Sequence, residues 1–396
     1  MHDIIFSMSK HLEFPKGFFW GAASASYQVE GNIYNNDWAF EARNSKRVPE
    51  ADSGPDHFNR YEEDFDIAKS LSHNCHRFSI EWSRIEPHEG EFSIDAVRHY
   101  QKVLSALHKR KLEPFVTLWH FTLPQWLAEK GGTSHPKFPE YFSRYASFIA
   151  SNLGEHCTHW ATMNEPNIVT GQGYLSGEWP PHKKHRYFTA LGVLNNLAKA
   201  HILAYHEIKK HDFVSDVGVV KHNIYFHSEG GNPFNWLKAK FANMFWNHYF
   251  LRKVYNHCDS IGLNYYQHAG FGDQNIYKKS DMDWDIFPMG IYHVLIGLKK
   301  YNKPVFIAEA GIADEKEEYR AQYIKDLVFW MHQAISDGVS LKGYMYWSMT
   351  DNFEWAYGYD KRFGLVEIDY VTKIRSVRES AITLKTIAEN NALDIE

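Results

Sequence analysis

Short runs of β-branched and aromatic residues recur along the chain at intervals of a few tens of residues, and several intervening stretches carry apolar residues at helical spacing. The runs fall at residues 18–22, 76–80, 114–119, 159–163, 216–221, 260–264, 304–308 and 342–347. The helical stretches fall at 64–72, 94–109, 138–152, 190–211 and 319–337. Eight strands with helices between them predict a closed (β/α)8 TIM barrel of the α/β class rather than an open doubly wound sheet. With no linker, low-complexity segment or internal repeat, the 396 residues are expected to form a single catalytic domain, 1–396.

Barrels of this kind place their chemistry at the carboxyl ends of the strands. Read in order, those ends offer residues 23–30, Arg77, His120, Asn164 with Glu165, residues 264–266, Glu309, and residues 347–355. One carboxylate follows the fourth strand and another the seventh. Such a pair suits cleavage of a glycosidic bond, where one carboxylic acid protonates the leaving oxygen and a carboxylate meets the oxocarbenium-like centre. The acid needs desolvation or a negative neighbour to keep its proton; the nucleophile needs hydrogen bonds or a cation, for which Arg77 is the candidate beside Glu309. Asn164 can bond a sugar hydroxyl, although Asn164-Glu165-Pro166 also reads as a strand-ending turn.

Composition narrows the choice. Apolar residues make up 44% and charged residues 23%, enough for a sizeable core. A net charge of −5 gives no basic field for nucleic acid. The glycine-rich phosphate loops of nucleotide sites are absent. Three scattered cysteines, Cys75, Cys157 and Cys258, fit a reducing compartment, and no stretch approaches the length of a membrane span, so a cytoplasmic protein without a membrane partner is expected. The histidine pairs His73/His76, His182/His185 and His206/His211 lack further ligands at diagnostic spacing and HExxH is missing, so neither metal nor cofactor is expected. Aromatic residues, 13 Trp, 24 Tyr and 27 Phe, suit sugar faces as well as a large core.

Six blocks in order carry a resemblance to glycoside hydrolase family 1, the β-glucosidase family. They are Phe18-Phe19-Trp20-Gly21-Ala22-Ala23-Ser24-Ala25-Ser26-Tyr27-Gln28-Val29-Glu30-Gly31, Arg77-Phe78-Ser79-Ile80-Glu81-Trp82-Ser83-Arg84-Ile85-Glu86-Pro87, Thr117-Leu118-Trp119-His120, the segment 162–166, Gly262-Leu263-Asn264-Tyr265-Tyr266, and Trp347 with Asp351-Asn352-Phe353-Glu354-Trp355 and Arg362-Phe363-Gly364. The resemblance implies that Glu165 is the acid/base and Glu309 the nucleophile of a retaining β-glycosidase acting on terminal β-D-glucosides, β-D-galactosides or β-D-fucosides. It further implies that Gln28, His120, Asn164, Glu354 and Trp355 bind the sugar in the first subsite, with Trp347 as its platform, and that Tyr265 touches the nucleophile. In isolation His120 and Trp347 also read as core residues, Gln28 as a surface amide and Glu354 as a solvated charge.

Members that cleave 6-phosphorylated glycosides resemble each other in a serine where this chain has Glu354, with a lysine and a tyrosine nearby. Here Lys361 is present but Phe363 offers no hydroxyl, so an unphosphorylated substrate is expected. Around the nucleophile the family's Thr-Glu-Asn-Gly is replaced by Ala308-Glu309-Ala310-Gly311, and the chain looks short between Tyr225 and Asp259, between Gln267 and Asp283 and after Ile312. Trp179, on the rim, can stack on a second sugar or aryl group or simply anchor its loop. Transglycosylation would use the same residues, and a barrel that binds sugar without turnover is the reading that Ala310 keeps open.

Overall fold

Eight apolar runs become eight parallel strands, hydrogen-bonded in sequential order and closed on themselves, in the computed structural model, which describes residues 10–395. Each strand is followed by a helix: β1 (Phe19–Ala23) and α1 (His57–Ser70), β2 (Cys75–Ser79) and α2 (Ile94–Lys109), β3 (Glu113–Trp119) and α3 (Phe138–Leu153), β4 (His159–Asn164) and α4 (Tyr187–His211). The second half repeats the pattern: β5 (Asp216–Ser228) and α5 (Pro233–Ala242), β6 (Ser260–Phe271) and α6 (Gly290–Leu298), β7 (Val305–Ala310) and α7 (Arg320–Ser336), β8 (Leu341–Trp347) and α8 (Glu379–Asn390). All eight expected strands are present, and β8 closes against β1.

Helix α2 shows how local signals set these elements. The Ser93 side chain accepts from the Ala96 N–H and caps its start, Asp95 sits in the first turn, and His108 and Lys109 sit in the last. Its buried residues Val97, Tyr100, Val103, Leu104 and Leu107 repeat at helical spacing and form the stripe that faces the barrel. The barrel interior is plugged by rings: Phe115 stacks on His159 at 4.3 Å and meets Phe19 at 5.3 Å and Phe306 at 5.1 Å. That plug fills the entry ends of the strands and leaves the opposite ends to polar groups.

Two departures from the expected pattern matter. Strands β5 and β6 continue past residues 221 and 264 to Ser228 and Phe271, pairing with each other beyond the barrel wall. The segment after β5 is mostly helical: α5 leads into a π-helical turn, Asn243–His248, and a helix, Tyr249–Val254.

The long loop after β8 is anchored from below. The Arg378 guanidinium donates to both carboxylate oxygens of Asp351, at 2.9 and 2.8 Å, and Asp351 in turn accepts from the Gly364 N–H at 2.9 Å. A side chain at Gly364 would lie 2.2 Å from the Asp351 nitrogen, so only glycine fits that approach. Away from the barrel mouth, strand Lys10–Glu13 pairs antiparallel with strand Ala392–Ile395.

Candidate active site

Glu165 ends β4 and caps the short helix Pro166–Thr170 with a left-handed backbone, φ 46° and ψ 61°, a conformation that costs a non-glycine residue about 1–3 kcal/mol. Its N–H donates to the Val220 carbonyl of β5, which holds the strained residue in place. The carboxyl accepts from Asn264 Nδ2 at 2.7 Å, and the same amide nitrogen lies 3.2 Å from Asn164 Oδ1. Asn164 Oδ1 also accepts from Arg77 Nη2 at 2.9 Å, while Arg77 Nη1 donates to Glu309 Oε1 at 2.5 Å. Four strand ends are thereby joined by one polar chain running from Glu165 to Glu309.

Glu309 lies within β7, and its second oxygen accepts from the Tyr266 hydroxyl at 2.8 Å. The contact expected of Tyr265 belongs to its neighbour. Tyr265 turns away, donates to the Phe287 carbonyl at 2.6 Å and packs beneath α6, where a side chain at Gly290 would meet its hydroxyl at 1.9 Å. Successive strand residues face opposite sides, and the β6–β7 register shifts between Leu263 and Asn264, so Asn264 and Tyr266 point inward and Tyr265 outward.

Burial and mutual charge set the protonation. Desolvation, reinforced by the negative charge of Glu309 and opposed by the Asn264 amide, pushes Glu165 up to about 8. Burial and Glu309 likewise push Glu354 up to about 8, against a hydrogen bond from Trp347. Lys221, buried on β5 where Glu165 feels its charge, falls well below the ordinary lysine value through desolvation, and its Nζ donates to the His222 carbonyl at 2.6 Å. Arg77 is the guanidinium in contact with both Glu309 and Asn164.

Polar atoms converge around the two glutamates. Gln28 follows β1 in the helix Ser26–Val29; its Nε2 donates to Asn352 Oδ1 at 2.9 Å and to the Phe353 carbonyl at 2.8 Å. His120 follows β3, is held neutral by burial and by Arg77, and accepts from Asn164 Nδ2 at 3.2 Å, which assigns its proton to Nδ1. Gln28 Oε1, His120 Nδ1 and Glu354 Oε2 are buried without a hydrogen bond among the described residues. An acceptor, a donor and a carboxyl oxygen of this kind match the mixed demands of sugar hydroxyls. The His120 ring lies nearly parallel to Trp347 at 6.0 Å and to Trp355 at 6.1 Å, and both indoles are buried.

The remaining expected positions resolve as follows. Trp179 is half-buried, 5.0 Å from Phe121, 5.4 Å from Trp38 and 5.5 Å from Trp355, so it both anchors its loop and extends the aromatic wall of the mouth. Lys361 Nζ donates to the Asp281 carbonyl and Phe363 is buried between Tyr266 and Trp284. Ala310 is fully buried, and the Tyr344 hydroxyl donates to its carbonyl at 3.0 Å, a hold on the strand end that needs no amide. The sequence marks the strand end 264–266 but not Lys221, and within that end alternation is the signal that pairs Asn264 with Tyr266 and sets Tyr265 apart.

The histidine pairs have other employment. His73 and His76 are core residues kept neutral by burial, with His76 Nε2 3.2 Å from Ser24 Oγ. His182 bonds the Gly177 carbonyl, and His206 packs against His257. Among the described residues, His227, His268 and Asp273 come within reach of a common point, on the extensions of β5 and β6 away from the two glutamates; the two rings share a 2.9 Å hydrogen bond.

Comparison with known proteins bears on the family and the fold. The profile of the family described as Glycosyl hydrolase family 1 matches residues 10–256 and 234–393. The chain is 31% identical over 442 aligned positions to a 1,4-beta-D-glucan glucohydrolase of Thermotoga neapolitana, covering 96% of this chain and 99% of that protein. It is similarly 31% identical to Beta-glucosidase A of Thermotoga maritima, over 96% of this chain and 99% of the relative. Among solved structures, a beta-glycosidase from Pyrococcus horikoshii superposes with a TM-score of 0.91 at 34% identity, covering 97% of this chain and 96% of that one. The Thermotoga maritima beta-glucosidase in complex with glucoimidazole superposes with a TM-score of 0.91 at 30% identity, over 96% of this chain and 99% of the other. An alignment of 442 positions against a chain of 396 residues means that the relatives carry internal segments missing here. On its sequence and its barrel, the chain belongs to glycosyl hydrolase family 1.

Proposed function

We propose that this glycosidase cleaves unphosphorylated terminal β-D-glycosides with retention, Glu309 acting as nucleophile and Glu165 as acid and then base, with residues 1–396 working as one catalytic unit. The observation that carries the reading is the asymmetry of the two groups. Glu309 has one oxygen on the Arg77 guanidinium and the other on the Tyr266 hydroxyl, two donors that hold it in place to attack, whereas Glu165 is raised by desolvation and by Glu309 and keeps its proton.

In the first step a Glu309 oxygen bonds to the anomeric carbon while the glycosidic C–O bond breaks and the Glu165 proton passes to the leaving oxygen. Esterification neutralises Glu309, so one of the forces that raises Glu165 disappears and the group becomes the base of the second step. Glu165 then takes a proton from water as the water oxygen attacks the anomeric carbon and Glu309 leaves as carboxylate. Gln28, His120, Asn164, Glu354 and Trp355 hold the sugar hydroxyls, Trp347 packs on the ring, and Trp179 borders the leaving group. Three free, buried cysteines support a cytoplasmic setting.

The test is phenol release from p-nitrophenyl β-glucoside, β-galactoside, β-fucoside and 6-phosphoglucoside, with proton NMR of the first sugar anomer formed. Release from the neutral sugars, β-anomer first, and loss in Glu309→Gly with rescue by azide are expected. An α-anomer formed first, or no release by folded protein, would overturn the assignment.

A further inference from the structure

Large apolar side chains gather on one outer face that the catalytic reading leaves unused. On α4, Phe188 is 94% exposed and Tyr187 66%; on α5, Phe234 is 72%, Trp236 55% and Phe241 62% exposed. Phe245 of the π-helical turn stacks 6.4 Å from Phe241 and lines one groove with Phe188, which joins the two groups into one surface. Between them opens an apolar groove of about 400 Å³, lined by Phe188, Leu191, Phe245, Trp246 and Tyr249 and beginning at Asn167, two residues beyond Glu165. Contiguous exposed apolar area of this kind marks an interaction site rather than an accident of folding. The segment that bears α5 is also one of those in which the chain is short.

Charge decides what covers it. No aspartate or glutamate occurs between Glu178 and Glu207, nor between Glu229 and Asp259, in a protein of net charge −5. The same stretches present exposed Lys183, Lys184 and Arg186 ahead of the first aromatic pair, and exposed Lys238, Lys240, Arg252 and Lys253 among and after the second. Lys240 Nζ lies over the Trp236 ring at 4.7 Å and Lys253 Nζ over Tyr249 at 4.9 Å, so the cations sit at the aromatic surface itself. A second copy would bring the same positive charges face to face in a two-fold interface, which disfavours self-association. Exposed Trp and Phe rings interleaved with lysine and arginine are the pattern of a helix that lies in the headgroup region of a bilayer.

We infer that the face formed by the start of α4, by α5 and by the turn Asn243–His248 docks on an anionic lipid bilayer, the groove receiving part of an acyl chain. The expectation of no membrane partner rested on the lack of a spanning segment. No described helix is long and apolar enough to cross a membrane, and a surface of this type needs none. The inference is independent of the residue roles proposed for catalysis.

The test uses the full chain in co-sedimentation with vesicles of phosphatidylcholine alone and of phosphatidylcholine mixed equally with phosphatidylglycerol. Binding to the mixed vesicles that weakens with added salt is expected, with little on phosphatidylcholine alone. Reversing two charges, Lys238→Glu with Lys240→Glu, should weaken it by about tenfold or more, and the exposed-ring variant Phe188→Ser/Trp236→Ser/Phe241→Ser should abolish it with thermal unfolding unchanged. Absence of binding to both vesicle types would overturn the inference, as would equal binding by the ring variant. So would a wild-type dimer that the ring variant converts to monomer without any vesicle binding.

Discussion

The Arg77 guanidinium reaches from one catalytic strand end to the other: Nη1 donates to Glu309 Oε1, and Nη2 donates to Asn164 Oδ1 on the residue that precedes Glu165. Removing that fork leaves a buried carboxylate with no cation, a loss that costs more than the bond was worth. Arg77→Met should lower kcat on a p-nitrophenyl β-glycoside by roughly 10²-fold or more. Arg77→Lys keeps a charge without the second donor and should fall between the two. Equal rates for the lysine variant and wild type would show that the fork has no role.

Tyr265 and Tyr266 are adjacent, equally bulky and opposite in use, which makes them a paired experiment. Tyr266→Phe removes the donor on Glu309 Oε2 and should lower kcat with little change in stability. Tyr265→Phe strands the Phe287 carbonyl instead and should cost about 1 kcal/mol in urea denaturation with kcat nearly unchanged. A reversed pattern would mean that the assignment of faces on β6 is wrong.

That pair also marks where reading the chain ran out. The strands were legible because β-branched and aromatic runs recur, and α2 was legible to the residue because its cap and its apolar spacing agree. Alternation along β6 puts Asn264 and Tyr266 on one face and Tyr265 on the other, but which of the two faces turns inward is set by pairing around the barrel and is invisible within β6 alone. Helix α6, Gly-Ile-Tyr-His-Val-Leu-Ile-Gly-Leu, is apolar nearly all round, so its periodicity gives no stripe to detect. Lys221 closes the fifth expected strand, where nothing in the run says which way its side chain turns, and it is buried on β5. Glu165 and Glu309 stood out because strand ends in a barrel are few and carboxylates at them fewer.

The pH dependence follows from two raised carboxyls. Glu165, at about 8 in the folded enzyme, must be protonated to act as acid, so kcat/KM should fall as pH rises through that value. Asn264→Ala removes a donor that favours the ionised form, so this basic limb should move to higher pH. The same two groups contribute to stability with the same sign. Raised on folding, Glu165 and Glu354 bind protons more tightly in the native state, so their contribution is full below about pH 4.5 and is lost as pH rises to about 8, while the buried neutral histidines His73, His76 and His120 contribute in the opposite sense as pH rises. The difference between wild type and Glu354→Gln in urea denaturation isolates one carboxyl and should shrink between those pH values; a difference independent of pH would exclude Glu354 as a source.

On the proposed reading Glu354 also sets what the site accepts. Glu354→Ser should cost roughly 10²-fold in kcat/KM on the neutral glucoside, since a buried partner of the sugar hydroxyls is lost. It should not create activity on the 6-phosphoglucoside, because Lys361 is held by the Asp281 carbonyl and Phe363 has no hydroxyl to offer. Comparable turnover of both substrates by the variant would contradict the proposed basis of specificity.

The antiparallel ladder between Lys10–Glu13 and Ala392–Ile395 sets both ends of the described chain side by side, outside the ring of βα units. The starting point of the chain is then a matter of covalent connection rather than of shape. A version joined by a short linker at that ladder and opened at the exposed Gly230-Gly231 tip, between β5 and α5, would run the same strands and helices in rotated order and close the same barrel. Folding of such a permutant with its rate on soluble glycosides intact would separate the order in which the units are made from the architecture they build.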